Sequence, residues 1–131
     1  YGIRGIYTIG TGDIKIENVK ILNCTYGINA NNDGKLTVLN STLQSWNSFG
    51  NNTLCHFENV TFIAGTEYAN FRPYDTTVCK NCEFTGVTID LSWFAKKNTA
   101  ATITFDNCTF NGQPLTIANV SDADGKNVTI K

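Results

Sequence analysis

The residues best equipped for chemistry in this chain are five cysteines, one histidine and a set of aromatic and charged side chains around Arg72-Pro73-Tyr74-Asp75. Cys79 and Cys82 form a Cys-x-x-Cys pair, a spacing that serves zinc sites and thiol redox motifs. No second cysteine pair or carboxylate cluster accompanies it, and the lone His56 is expected to point outward from a strand, so no metal ligand is assigned. Nor does the sequence assemble a general base with its neighbours: Asp75, Asp90 and the Asp122/Asp124 pair lie far apart along the chain. No catalytic residue is assigned, and no cofactor is expected. Binding chemistry is better supplied. Trp46, Phe49, Tyr68, Tyr74, Trp93 and Phe94 fall in the less regular stretches, beside Asn, Asp and Arg, and aromatic faces in such company grip sugars. The candidate ligand-binding residues are Trp46, Tyr68, Arg72, Tyr74, Asp90 and Trp93, with carbohydrate as the candidate ligand. Pro73 restricts Phe71-Arg72 to extended geometry, which either displays Arg72 and Tyr74 or lets Arg72 pair with Asp75 or a carboxylate on a neighbouring repeat.

The elements that must position these groups are set by a repeat. Asn18, Asn40, Asn59, Asn81, Asn107 and Asn127 recur at spacings of 22, 19, 22, 26 and 20 residues, inside the segments IKIENVKI, LTVLNSTL, CHFENVTF, TVCKNCEF, ITFDNCTF and a shorter KNVTI. A period in the twenties signals one supersecondary unit stacked on copies of itself. Around the first five, apolar residues stand four and two positions before the Asn and one and three after it, with Thr77 and Ser41 the exceptions; around Asn127, Val128 and Ile130 keep the pattern after the Asn. Period-two alternation marks a strand with one buried face. The step of three across the Asn breaks that alternation, so the backbone must bend there, and Asn tolerates the left-handed conformation a tight bend needs. A third strand is expected around Tyr26/Ile28, Ile89/Leu91 and Leu115/Ile117. Three short strands per coil of about 22 residues describe a parallel β-helix.

These columns assign several other residues. Cys55, Cys79, Cys82 and Cys108 occupy inward positions otherwise held by Ile, Val and Phe, so they read as small buried thiols. Cys82 and Cys108 stack on adjacent coils near bridging distance, which leaves a disulfide open, although parallel Cβ vectors suit it poorly. Sequons begin at Asn23, Asn40, Asn51, Asn59, Asn107, Asn119 and Asn127, four of them corner residues whose side chains are expected to bond to backbone in a ladder. Glu58, Lys80, Asp106 and Lys126 alternate in sign along one outward column, favouring the register by roughly 0.2–1 kcal/mol per pair. Thr42, Thr61, Thr109 and Thr129 form another column, interrupted by Lys20 and Glu83, which argues against an ice-binding face.

In the repeated ΦxΦxNΦxΦ motif, with Φ apolar, the chain resembles the right-handed parallel β-helices of the pectate-lyase-like superfamily over roughly residues 13–130. The resemblance implies an all-β, right-handed, single-stranded parallel β-helix of about five to six coils. It also implies that any substrate groove follows the first strand and its turns, where Phe49, Tyr68, Asp90 and Thr116 would lie. The Asn-Thr-Asp, Asp-Asp, Gly-His-Gly and Arg-Ile-Lys signatures of the polygalacturonase-like members are absent, as are adjacent acidic residues for calcium.

Composition fits that architecture. Charged residues make up 16% and apolar residues 41%, which is enough for a continuous core. A net charge of −1 without a basic run gives nucleic acid no electrostatic footprint, and no apolar stretch is long enough to span a membrane. Residues 1–131 are read as one β-helix domain, with 1–12 a partial coil or cap and 13–131 the repeating coils. Further coils or a homo-oligomer are expected partners, because solenoid ends otherwise expose core. The functional expectation is a non-catalytic extracellular or cell-surface module, adhesin-like or fibre-like. The alternative is a segment of a polysaccharide lyase or glycoside hydrolase.

Overall fold

A computed structural model describes residues 2–111, 117–118 and 128–131. Asn119, Asn127, Lys126, Leu115, Thr116, Asp122 and Asp124 lie outside the described residues. The fold is all-β, a parallel β-solenoid of about five turns with about 22 residues per turn. One sheet contains β1 (Gly2–Thr8), β4 (Cys24–Ala30), β6 (Trp46–Phe49), β8 (Asn70–Pro73), β11 (Thr88–Asp90) and β14 (Ile117–Ala118), hydrogen-bonded in that order. The other sheet carries the asparagine corners. Its first coil has β2 (Ile14–Glu17) and β3 (Lys20–Ile21); in the next two, β5 (Gly34–Gln44) and β7 (Asn52–Ile63) run through the corner. Beyond them lie β9 (Thr76–Lys80) and β10 (Glu83–Thr85), β12 (Ile103–Asp106) and β13 (Thr109–Asn111), and finally β15 (Val128–Ile130).

Like stacks on like because each coil pairs in parallel with the next. Ile16, Val38, Phe57, Cys79 and Phe105 are aligned residue on residue before the corner. Ile21, Leu43, Phe62, Phe84 and Phe110 are aligned after it. The rings of Phe62, Phe84 and Phe110 stack nearly parallel, at 4.9 and 5.2 Å between centroids. Ser41, in an inward column, is buried without penalty: its hydroxyl donates to the Leu39 carbonyl at 2.8 Å and accepts from Val19 N–H at 3.2 Å.

The corner mechanism holds at every described asparagine. Asn18, Asn40, Asn59, Asn81 and Asn107 have φ of 58°, 50°, 53°, 53° and 54°. A second left-handed corner falls five residues later, at Asn23, Ser45 and Gly86, and returns the chain to the first sheet. The expected ladder to backbone is corrected by the geometry. The corner side chains are exposed and bond to one another, Asn59 Nδ2 to Asn40 Oδ1 at 3.1 Å and Asn107 Nδ2 to Asn81 Oδ1 at 2.7 Å. A left-handed Cα turns Cβ outward, away from the coil's own carbonyls. Asn59→Val should therefore cost about 2 kcal/mol, because a β-branched residue resists this conformation, whereas Asn59→Gly should cost well under half of that. Urea unfolding of both variants measures the difference, and equal losses would assign the cost to the amide contact instead of the backbone.

Three further expectations are corrected. Val128 pairs with Ile103 and Ile130 with Phe105, so the last echo of the repeat lies before the corner column rather than after it. Thr129 consequently stands beside Thr104, outside the threonine column. A three-residue alternation fits either phase, and only the pairing partner decides. Phe49 and Phe94, read as surface aromatics, are fully buried, Phe49 at 4.9 Å from Phe57 and 5.4 Å from Phe71. Glu58, Lys80 and Asp106 stand opposite one another in register. Among the described residues, however, they form no ion pair together, and Glu58 instead meets His56 on its own strand at 3.2 Å.

Candidate functional site

Aromatic and cationic side chains from the first sheet and the turns beside it touch one another in a continuous file across several coils. Parallel pairing sets Tyr26 beside Trp46, and their rings stack at 4.9 Å with 19° between planes. Tyr68 leans on the other side of Trp46 at 5.5 Å. Arg72, from β8, lays its guanidinium 4.6 Å over Trp46 and 5.6 Å from the Tyr74 ring, while Nη2 donates to Ser48 Oγ at 3.3 Å. Tyr74 stacks with Trp93 at 6.0 Å, and Lys96 Nζ caps Trp93 at 4.7 Å. At the other end Arg4 sits 4.8 Å over Tyr7 and 5.8 Å from Tyr26. Each cation–π contact contributes about 0.5–1 kcal/mol at exposed positions.

Five of the six sequence candidates, Trp46, Tyr68, Arg72, Tyr74 and Trp93, thus meet in one assembly. Asp90 does not join it: the side chain is buried and its Oδ1 accepts from Ser92 N–H at 3.0 Å, closing a turn. Arg72 makes neither of the ion pairs weighed for it; among the described residues the ion pairs are Lys15–Glu17 and His56–Glu58. Arg72 Nε and Trp46 Nε1 are both buried without a hydrogen-bond partner.

Beside Tyr74 the file opens into a cleft of about 450 Å³, walled by Asp33, Asn51, Thr53, Tyr74, Asp75 and Lys97. Residues 91–102 build one wall by folding back over the coil. Phe94 anchors this loop in the core, and Ala95, at φ 64°, donates its N–H to the Tyr74 carbonyl at 3.0 Å. Asn98 Nδ2 reaches Asp75 Oδ1 at 3.0 Å, and Lys97 Nζ reaches Asn51 Oδ1 at 3.0 Å. A non-glycine residue held at positive φ is strain of the order of 1–2 kcal/mol, which the Phe94 anchor and these bonds offset. Under the cleft a buried amide ladder fixes the turns: Asn52 Nδ2 donates to Asn32 Oδ1 at 2.8 Å, and Asn32 Nδ2 to the Gly12 carbonyl at 2.9 Å. Gly50 gives the Asn31 amide its room, since a Cβ there would stand 2.6 Å from Asn31 Oδ1 and turn that side chain aside.

Sequence reasoning placed Asp75, Lys96 and Lys97 in loops beside the expected groove, but missed Arg4, Tyr7 and Tyr26 in the file, and Asp33, Asn51 and Thr53 in the cleft. The file carried a readable signal. Tyr26 and Trp46 stand eight and six residues after their corner asparagines, and unequal loops hide that they share a row. The cleft carried none, since its walls come from turns of different coils.

The cysteines are all free thiols. Cys55, Cys79 and Cys82 are buried, as their columns require, while Cys24 and Cys108 are half-buried. Cys108 Sγ contacts the Cys79 carbonyl at 3.4 Å and Cys82 Sγ the Lys80 carbonyl at 3.4 Å, sulfur-to-oxygen contacts that hold the protons. Burial pushes the Cys79 thiol up, and burial with the nearby Asp75 charge does the same to Cys55. At Cys82 a bond with Cys108 lowers the pKa, but the bond with Cys79 and burial outweigh it and bring it to about 12. These are poor nucleophiles at neutral pH. Among the described residues no group of three or more His, Cys, Asp or Glu side chains is placed to hold a metal ion.

The groups gathered around the file and the cleft are ring faces and edges, amides, carboxylates and ammonium groups. No protein-family model matches the chain, and neither a curated protein nor a solved structure matches it.

Proposed function

We propose that this solenoid is a non-catalytic carbohydrate-binding module of an extracellular or surface protein, built on the right-handed β-helix plan of the pectate-lyase-like superfamily. The observation that carries the reading is the Tyr74 cleft at the end of the aromatic file. Its volume falls in the range of ligand sites, Tyr74 and Trp93 offer ring surface, and Asn51, Thr53, Asp33 and Lys97 offer the mixed donors and acceptors that sugar hydroxyls need. The carboxylates argue for holding rather than for catalysis. Asp75 Oδ1 already accepts from Thr76 N–H at 2.7 Å and from Asn98, and Asp90 is committed to Ser92.

A glycan array followed by calorimetry on its best ligand tests this. Tyr74→Ala should weaken binding at least about tenfold, the loss expected when a buried aromatic anchor is truncated, with the melting temperature nearly unchanged. An array without a hit, or a Tyr74→Ala variant that binds as the parent does, would remove the proposal.

A further inference from the structure

We infer that the cleft beside Tyr74 takes an amino sugar, a hexose with a free ammonium group, and that Asp33, Asp75 and Asn52 receive that ammonium; this rests on the carbohydrate reading above. The first support is charge. Two carboxylates, Asp33 and Asp75, line the cleft against one ammonium, Lys97. Lys97 Nζ is directed to Asn51 Oδ1 at 3.0 Å, and among the described residues neither carboxylate belongs to an ion pair. One negative charge is left in excess. Arg72 and Lys96 do not cancel it, since they are held over Trp46 and Trp93 and do not line the cleft.

The second support is an orphaned acceptor. Asn52 also lines the cleft and is only 2% exposed. Its amide is fixed in one orientation, because Nδ2 donates to the Asn32 carbonyl at 3.0 Å and to Asn32 Oδ1 at 2.8 Å. Flipping the amide would break both bonds. Asn52 Oδ1 is therefore buried without a hydrogen-bond partner, a destabilising state that a ligand's N–H relieves.

Directionality supplies the third. Asp75 Oδ1 accepts from Thr76 N–H at 2.7 Å and from Asn98 Nδ2 at 3.0 Å, which fixes the carboxylate and leaves Oδ2 for a ligand. The groups left open on this side of the cleft are thus acceptors: Asp33, Asp75 Oδ2 and Asn52 Oδ1. A sugar hydroxyl brings one donor together with two lone pairs, and those lone pairs would face carboxylates. An ammonium brings three donors and no acceptor, so it satisfies the wall without setting oxygen against oxygen. Hydrogen bonds assisted by charge in this way are about twice as strong as neutral ones.

The test uses the whole chain and three oligosaccharides of one length and linkage: a glucosamine oligomer, its N-acetylated form and the corresponding glucose oligomer. Each is titrated by calorimetry in mildly acidic buffer, where the sugar amine holds its proton. The inference expects the glucosamine oligomer to bind at least about tenfold more tightly than the other two. Asp33→Asn, at an exposed position, should weaken that binding about threefold and leave the glucose oligomer unaffected. Glu83→Gln, which removes an exposed carboxylate from the corner sheet, should change neither. A glucosamine oligomer that binds no more tightly than the other two would overturn the amino-sugar inference and leave the carbohydrate reading standing. So would binding that Glu83→Gln weakens as much as Asp33→Asn does, because the attraction would then be to the protein's charge at large. Calcium chloride alone, binding in competition with the glucosamine oligomer and losing that binding in Asp33→Asn, would overturn the inference in favour of a metal site. No binding of these oligomers, together with a glycan array without a hit, would overturn both readings.

Discussion

Replacing Phe71 with alanine is expected to destabilise the protein by about 4 kcal/mol, a large share of the roughly 5–15 kcal/mol that holds a typical domain folded. Phe71 comes from the first sheet and is fully buried. Its ring lies 5.4 Å from Phe49, 5.4 Å from Phe57, 5.0 Å from Phe62 and 5.4 Å from Phe84, mostly edge to face. It therefore joins the first sheet to both arms of the corner sheet, across several coils. The neighbouring backbones are pinned by parallel ladders on each side and cannot collapse into the space. Most of the cavity penalty should remain. In a solenoid, stability is a sum of coil and interface terms, so the variant should also lose cooperativity at the β7–β9 junction. Urea unfolding followed by tryptophan fluorescence and by circular dichroism measures both effects. Phe71→Leu, which keeps most of the volume, should cost no more than about 1.5 kcal/mol; a loss for Phe71→Ala of similar size would show that the core relaxes and is not close-packed.

Stability should fall by about 2–4 kcal/mol between pH 9 and pH 10. In the fold, burial keeps Cys55 and Cys79 protonated, and Cys82 is pushed up to about 12. In the unfolded chain these thiols ionise near pH 8.5. Above that pH the unfolded state binds fewer protons than the native one, so unfolding becomes more favourable with each added pH unit. The contribution is complete below about pH 8.5 and is lost progressively toward pH 12. Each thiol contributes up to about 1.4 kcal/mol per pH unit within that window. Denaturant midpoints at pH 8, 9 and 10 record the slope. The double variant Cys55→Val, Cys79→Val, which keeps small apolar groups in both columns, should flatten it by about half, because Cys82 and Cys108 are pushed up as well. A slope unchanged by the double substitution would place the titrating groups elsewhere, in Cys82 and Cys108 or in tyrosine and lysine.

The corner asparagines show how much of the fold could be read directly. Their spacing located the bends, the bends divided each coil into arms, and the inward columns named most of the core, from Ile16 to Phe105. The reading worked because in a parallel stack each coil meets a near copy of itself, so local pattern and long-range contact carry the same information. It failed where that identity lapses. Val128 and Ile130 have the right alternation but the wrong phase, since two apolar residues two apart fit either arm. Phe49 and Phe94 fell in stretches of unequal length, where column counting has no anchor.

The candidate site divides in the same way. The sequence by itself determined a parallel solenoid, its corners, its buried thiols and a group of aromatic residues with Arg72 among them, because side-chain type at a fixed period is enough to choose the inward face. Only the tertiary structure decided that Tyr7, Arg4, Tyr26, Trp46, Arg72, Tyr74, Trp93 and Lys96 stand in one file, that Asp90 is a turn cap, and that residues 91–102 close a cleft against Tyr74. Those groups come from different coils and from loops of unequal length, so their meeting depends on how the coils register against one another in space, which no single repeat encodes.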